Sequence, residues 1–196
     1  MTQGPRQRLV TSAIALMCER GVHATGLREL LEHSGTARRS IYQNFPGGKS
    51  ELIEYATRVA GRHLSRQIAE FLEAGPASGV EALIDDWIST LLETDYVRGC
   101  PINAAAQSGP SEPAIQAAAA DVFTAWRNQF VGAFVEYAIP IDTAEMIADV
   151  TISTIEGAIV QSRASRSISP LANAKEVLIP MIRGFGQSDA NLEVRD

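Results

Sequence analysis

The chain has 196 residues, of which 45% are hydrophobic and 20% charged, and its net charge is −6. This length allows one or two domains with a sizeable core. No apolar run approaches the roughly 18 residues of a membrane span and no signal-peptide core is present, so we expect a cytoplasmic protein with no membrane partner.

The cysteines and histidines offer little for a disulfide framework or a metal site. Two cysteines, Cys18 and Cys100, fit a reducing compartment. His23, His33 and His63 are scattered and show no ligand spacing with the cysteines. We therefore expect no metal and no cofactor.

The charge is distributed unevenly along the chain. Residues 1–50 hold seven Lys and Arg against three Asp and Glu, a net +4, whereas residues 51–196 hold ten against twenty, a net −10. A basic segment on an acidic body can meet a DNA phosphate backbone while the body is repelled from it. The alternative is an ordinary solvated basic face.

Helix-forming residues dominate and no sustained period-2 run of β-branched residues occurs, which predicts an all-α fold. The first helix is predicted from Pro5 to Arg20, where Gly21 ends it. Its buried face consists of Val10, Ala13, Ile14 and Met17.

The next segment predicts a helix, a tight turn and a second helix. The two helices cover residues 27–33 and 37–44, Gly35 allows the turn between them, and Thr25 lies in the N-cap region of the first. Pro46-Gly47-Gly48 ends the second helix. This layout is typical of a helix-turn-helix that enters a DNA groove.

The remainder of the chain predicts further helices and a polar tail. The helices are expected at about residues 48–74, 80–95, 101–106, 112–138, 143–165 and 169–184. Asp142 is predicted to cap the helix of residues 143–165. Pro180 should kink or shorten the last helix. We predict three parts: a helix-turn-helix DNA-binding domain (1–48), a helical ligand-binding and dimerisation domain (49–186), and a tail (187–196).

Residues 5–55 resemble the DNA-binding domain of the tetracycline-repressor (TetR) family of bacterial regulators. The matching positions are Gly21, Thr25, Leu30, Gly35, Ser40, Ile41, Tyr42, Phe45, Lys49 and Leu52. The stretches Phe45-Pro46-Gly47-Gly48-Lys49 and Gly99-Cys100-Pro101 are similar to the branch with lincomycin-resistance and flavonoid-responsive repressors. Asn44 departs from the usual His or Tyr, and Arg39 from a small residue, which bears on the operator sequence.

The helix-turn-helix predicts which side chains contact DNA, because the second helix presents its N-terminal half to base edges. We expect base contacts from Thr36, Arg38, Arg39, Ser40 and Gln43, since Arg pairs with guanine and Gln with adenine. We expect phosphate contacts from Thr25, Tyr42, Asn44 and Lys49. The alternatives are that Arg38 and Arg39 are only solvated and that Tyr42 packs against the first helix.

Aromatic side chains at helical spacing predict either plain core or a ligand pocket between helices. The predicted pocket residues are Trp87, Leu91, Cys100, Asn103, Gln107, Phe123, Trp126, Phe130, Thr151, Ile155 and Glu156. Glu156 could bind a ligand, pair with Arg163 or face water. Cys100 precedes Pro101 at a predicted helix start, where it is a thiol sensor or a small buried residue.

No catalytic motif is present, so we expect a protein that is not an enzyme. The resemblance implies a repressor that is a homodimer through residues 143–184, binds a near-palindromic double-stranded DNA operator and is released by a small hydrophobic or aromatic effector. The excess apolar surface of residues 143–165 also favours dimerisation. The alternatives are a helical ligand-binding bundle or enzyme with a vestigial DNA-binding domain, and an activator.

Overall fold

Within residues 4–186, which the computed structural model describes, every regular element is an α-helix. In chain order the helices are α1 Pro5–Ala24, α2 Leu27–Ser34, α3 Arg38–Asn44, α4 Gly48–Leu72, α5 Pro76–Glu93, α6 Pro101–Ala106, α7 Pro113–Glu136, α8 Ile141–Ser165 and α9 Ser169–Gly186. This confirms the all-α class. None of these helices combines the length and the apolar character needed to cross a bilayer. The polar tail predicted for residues 187–196 lies outside the described residues.

Three predicted helix ends differ from the structure. Gly21 breaks helical geometry (φ 78°, ψ 174°), but helix resumes beyond it and α1 reaches Ala24. α5 begins at Pro76 rather than at Val80, because proline fits a first helical turn. α9 continues through Pro180 to Gly186.

The predicted caps also need correction. α8 has Pro140 as its N-cap, so Asp142 lies in the first turn instead. α2 is capped by Gly26 rather than Thr25: the Gly26 amide donates to the Glu29 carboxylate at 3.3 Å. The remaining helix ends agree with the sequence-based bounds to within one or two residues.

One compact unit comprises residues 4–64 and 99–123 of the described chain. Within it α1 contacts α2, α3 and α6. The Gly99 amide donates to the Cys18 carbonyl at 2.8 Å, which fixes the chain just before α6 against α1. The fully buried side chains of this core include Leu9, Met17, Leu30, Ile41, Phe45, Leu52 and Ile102.

The second compact unit comprises residues 65–98 and 124–186 of the described chain. α9 packs against both α5 and α8. Trp126 Nε1 donates to Ser65 Oγ at 3.1 Å, so the buried indole satisfies its one donor. The largest core side chains here include Ile84, Leu91, Phe130, Phe134, Ile147, Leu171 and Ile182. These units are defined by internal packing, and the domain boundary at residue 48 stays a prediction.

Candidate nucleic-acid interface

The turn between α2 and α3 depends on Gly35. Gly35 adopts the left-handed conformation (φ 58°), which costs a residue with a side chain free energy and costs glycine little. The Thr36 amide then donates to the Leu31 carbonyl at 3.2 Å and closes the end of α2. As a result the chain turns within residues 35–37 and α3 begins at Arg38.

α3 has one buried side and one exposed side. Ile41 and Phe45, four residues apart, are buried to 0% and 1% exposure and attach the helix to its unit. Arg38, Arg39 and Gln43 are exposed. None of these three forms a side-chain hydrogen bond or ion pair with another residue in the range 4–186. Their donors are therefore available to a ligand, as base-edge contacts require.

Tyr42 is also on the exposed side of α3, with 48% of its surface accessible. Its ring lies beside the backbone of Gly48, where a Cβ atom would come within 3.4 Å of Tyr42 Cε1. The phenol hydroxyl can thus reach solvent from a ring supported at the start of α4. This placement is compatible with a phosphate contact.

Five other predicted DNA contacts are partly or wholly engaged within the protein. Thr25 is fully buried and its hydroxyl donates to the Gly21 carbonyl at 2.7 Å. Asn44 Nδ2 donates to the Ser40 carbonyl at 2.8 Å, and Lys49 Nζ donates to the Val22 carbonyl at 3.3 Å. Thr36 and Ser40 are half-buried, and the Thr36 hydroxyl is 2.7 Å from that of Ser34. The Thr25 side chain therefore has a structural role, and the exposed donors are concentrated on α3.

A cation over two aromatic rings ties the start of α1 to the region after α3. The Arg6 guanidinium lies 4.0 Å from the Tyr55 ring centroid and 5.2 Å from that of Phe45. Arg6 Nη1 also donates to the Tyr55 hydroxyl at 2.8 Å. The same hydrogen bond lowers the pKa of Tyr55 below its ordinary value. Arg6, although basic and exposed, is thus committed to a contact within the protein.

Sequence reasoning missed a row of polar side chains on α1 that we call the α1 polar row: Arg8, Ser12 and Arg20. Arg8 Nη1 donates to the Gly35 carbonyl at 3.2 Å, and Ser12 Oγ is 2.9 Å from His33 Nδ1. Arg20 pairs with the Glu29 carboxylate. The available signal was the i, i+4 spacing of Arg8 and Ser12 beside the apolar face of α1.

The pocket residues predicted in the second unit are mostly core. Leu91, Phe130, Thr151 and Ile155 are at most 4% exposed, and Trp126 is 5% exposed. Trp87 is half-buried. The Thr151 hydroxyl is buried with no hydrogen-bond partner among residues 4–186, an arrangement that costs free energy.

Glu156 is buried in the same helix as Thr151, with 9% exposure. Such burial disfavours the alternative in which its carboxylate simply faces water. A carboxylate in such a place needs a partner, since an isolated buried charge is costly.

The pocket residues predicted in the first unit lie on or near α6. Cys100 is the N-cap of α6 and is 4% exposed. Asn103 is half-buried and its Oδ1 accepts a hydrogen bond from exposed Gln107. Phe123 is half-buried near the end of this unit. Both cysteines are buried and neither is in a disulfide within the described residues. Over the described range no group of three or more His, Cys, Asp or Glu side chains is arranged to hold a metal ion.

Comparison with known proteins gives two family matches. Residues 9–56 match the model of bacterial regulatory proteins of the tetR family. Residues 76–177 match the C-terminal domain of LmrA/YxaF-like transcriptional regulators. The two matches do not overlap and together extend over most of the described chain.

Relatives and solved structures agree with these matches. An HTH-type transcriptional regulator of Mycobacterium tuberculosis is 41% identical over 176 residues, covering 86% of this chain and 89% of that protein. The HTH-type transcriptional regulator LmrA of Bacillus subtilis is 25% identical over 182 residues, covering 91% and 96%. The crystal structure of a TetR transcriptional regulator from Legionella pneumophila matches with a TM-score of 0.81 at 18% identity, covering 92% and 98%.

The helix-turn-helix and its exposed basic side, with these matches, define a DNA-binding transcriptional regulator rather than an enzyme. The chain belongs to the TetR family, and its C-terminal domain is of the LmrA/YxaF-like type. The family resemblance and the branch predicted from the sequence are thereby confirmed.

Proposed function

We propose that this chain is a ligand-responsive transcriptional repressor that acts as a homodimer on a near-palindromic operator and is released by a small hydrophobic or aromatic effector. The observation that carries the proposal is the exposed side of α3. Arg38, Arg39 and Gln43 point their donors away from the core without partners in residues 4–186. Base-edge contacts in the major groove use such side chains at the N-terminal half of a recognition helix.

A homodimer through residues 143–184 is supported by exposed apolar surface on α8 and α9. The exposed large apolar side chains on these two helices are Ile141, Met146, Val150, Val160, Val177 and Phe185. Val177 is 64% exposed and Met146 55%. Exposed apolar surface favours association, because burying it is stabilising. A second copy of the chain is the occupant that a two-fold operator requires.

An effector site in the second unit is supported by its aromatic core and by Thr151. Phe130 and Phe134 lie with their ring centroids 6.0 Å apart. The Thr151 hydroxyl is buried and without a partner in the described chain, so a ligand polar group that reached it would gain a hydrogen bond. An aromatic effector with a polar substituent fits this combination.

Release would follow from a shift between two states of the dimer. Recognition helices must be about 34–36 Å apart to enter successive major grooves. An effector that binds more tightly to a dimer with another separation lowers DNA affinity, and only its differential affinity for the two states can do so. α4, which directly follows the recognition segment, is the helix through which we expect this change to act.

The proposal is tested by electrophoretic shift with the DNA upstream of the chain's own coding sequence and with random DNA of equal length. We expect preferential binding to the upstream DNA and a steep loss of affinity with salt, because phosphate contacts release counterions. Equal binding to both DNAs, or a flat salt response, would favour a ligand-binding bundle or enzyme with a vestigial DNA-binding domain. Transcription from a reporter separates repression from activation.

The effector is tested by a thermal-shift screen of flavonoids, macrolides and lincosamides. A bound effector raises the unfolding midpoint, because it binds only the folded state. The same compound should then weaken the DNA complex. A compound that stabilises the protein and leaves DNA binding unchanged would contradict the proposed regulation.

A further inference from the structure

The α1 polar row bonds successive parts of the helix-turn-helix. Arg20 pairs with Glu29 in the first turn of α2, Ser12 contacts His33 in its last turn, and Arg8 bonds Gly35 in the turn that follows. The contacts of Arg20 and Ser12 are made to side chains of α2 itself. Among the three side chains of the α1 polar row, that of Arg8 alone bonds the backbone of the turn from which α3 departs.

The Arg8 guanidinium lies directly beside Gly35, the left-handed residue of this turn. Arg8 Nη1 donates to the Gly35 carbonyl at 3.2 Å, and a Cβ at Gly35 would lie 3.4 Å from the same nitrogen. Arg8 is half-buried, and its Nε is buried with no hydrogen-bond partner in residues 4–186. A buried unsatisfied N–H costs free energy, so the guanidinium occupies this place at the expense of its own solvation.

We propose that Arg8 is a positioning residue for operator recognition. It holds the carbonyl of the left-handed Gly35 and thereby sets the direction in which α3 leaves the turn. Base-edge hydrogen bonds require the recognition helix in one orientation, whereas phosphate contacts tolerate several. Arg8 therefore supports sequence discrimination without touching DNA. This inference rests on the proposed use of α3 as the recognition helix.

The test uses the full-length chain and an operator duplex enriched from random DNA by the wild-type protein. Arg8→Met keeps the apolar stem and loses the donor and the charge. We expect operator affinity to fall roughly tenfold while affinity for random DNA stays within about twofold, since base contacts are misaligned and phosphate contacts remain. The slope of log affinity against log salt should be unchanged, because no counterion-releasing contact is lost.

Arg8→Gln separates positioning from charge, because it keeps an amide donor and removes the charge. Under the proposal, Arg8→Gln binds the operator more tightly than Arg8→Met does. If Arg8→Met does not fold, Arg8→Gln replaces it in the comparison with the wild type. A salt slope reduced by about one, with equal losses on operator and random DNA in both variants, would show a phosphate contact and overturn the proposal. Unchanged operator affinity in a folded Arg8→Met would overturn it as well.

Ser12→Ala is the matched control on the same row. It removes the contact to His33 in α2, so it should lower the unfolding midpoint and leave the ratio of operator to random affinity unchanged. If Ser12→Ala changed this ratio as much as Arg8→Met, general loosening of α2 would explain both effects and the role of Arg8 would be lost. If the wild-type protein enriched no operator at all, the proposed function would fail rather than the role of Arg8.

Discussion

At the scale of single residues, internal hydrogen bonds separate three basic side chains of the N-terminal region from the two arginines of α3. Arg6, Arg8 and Lys49 bond a phenol or backbone carbonyls within the protein. Arg38 and Arg39 are exposed on α3 with no such partner in the described chain. The net +4 charge of residues 1–50 therefore overstates how many cations are free to meet DNA.

Arg39→Ala should weaken operator binding by about 1–3 kcal/mol if the guanidinium reads a base. The loss should be confined to the operator and should relax sequence preference, as measured by fluorescence anisotropy on operator and random duplexes. Arg28→Ala is the charge-matched control, since Arg28 is highly exposed on α2 and, within residues 4–186, pairs only with Glu32 four residues on. Equal losses on both duplexes for Arg39→Ala would instead make Arg39 a phosphate contact.

At the scale of helices, close packing and the ion pairs of Lys175 join α5 to its neighbours in the second unit. A Cβ on Gly79 of α5 would lie 2.8 Å from the Phe71 carbonyl oxygen and 2.9 Å from Leu72 Cα, so both obstacles are backbone. Lys175 of α9 lies between Asp85 and Glu81 of α5 at 2.9 and 3.0 Å. The glycine permits α5 to approach the end of α4, and the lysine fixes α9 against α5.

Gly79→Ala should therefore lower the free energy of unfolding by about 1–3 kcal/mol, the usual cost of overpacking. Gly132→Ala on α7 is the matched control, because nothing lies within 4 Å of the added Cβ. There the higher helix propensity of alanine should stabilise the protein by up to about 1 kcal/mol. Denaturant unfolding followed by circular dichroism measures both. A neutral Gly79→Ala would show that α5 can shift at no cost.

The pKa of Lys175 is raised by hydrogen bonds to Asp85 and then to Glu81. A raised pKa contributes stability that is fully present below the ordinary lysine value of about 10.4 and is lost as pH rises through the folded value. The wild type should consequently lose stability relative to Lys175→Met only on the alkaline side, with a constant difference between about pH 6 and pH 9. Thermal unfolding across this range checks the prediction, and a difference that changes near neutrality would contradict it.

At the scale of the whole molecule, apolar side chains on α8 and α9 are exposed and are not covered by other parts of residues 4–186. Val150, Val160 and Val177 are each more than 40% exposed in helices whose opposite sides are buried. The buried sides already face α5 and the packing between α8 and α9. The exposed sides are thus the surface on which the proposed homodimer depends.

Val177→Glu should convert a dimer into a monomer and abolish tight operator binding, because a carboxylate in an apolar interface is costly to desolvate. Light scattering after gel filtration gives the mass, and circular dichroism verifies that the chain stays folded. Val135→Glu on α7 is the control: Val135 is 43% exposed and lies outside residues 143–184. A Val177→Glu protein with the wild-type mass would place the interface elsewhere or exclude the dimer.

The sequence by itself determined the local structure and the class of protein. Apolar spacing predicted the helices, since periodicity depends only on neighbours along the chain, and Gly35 marked a turn that needs a left-handed residue. The family followed from Tyr42, Phe45, Lys49 and the residues around them. Helix ends were less certain, as at Gly21 and Pro180, because capping and packing compete there.

Only the tertiary structure decided which polar side chains are free. Thr25, Asn44 and Lys49 resemble DNA contacts in the sequence, yet each bonds a carbonyl within the protein. Arg8 drew no prediction from the sequence, and it bonds the carbonyl of Gly35, 27 residues away. Contacts between residues distant in sequence leave no periodic signal. The partner of each hydrogen-bond donor is therefore determined by the tertiary structure.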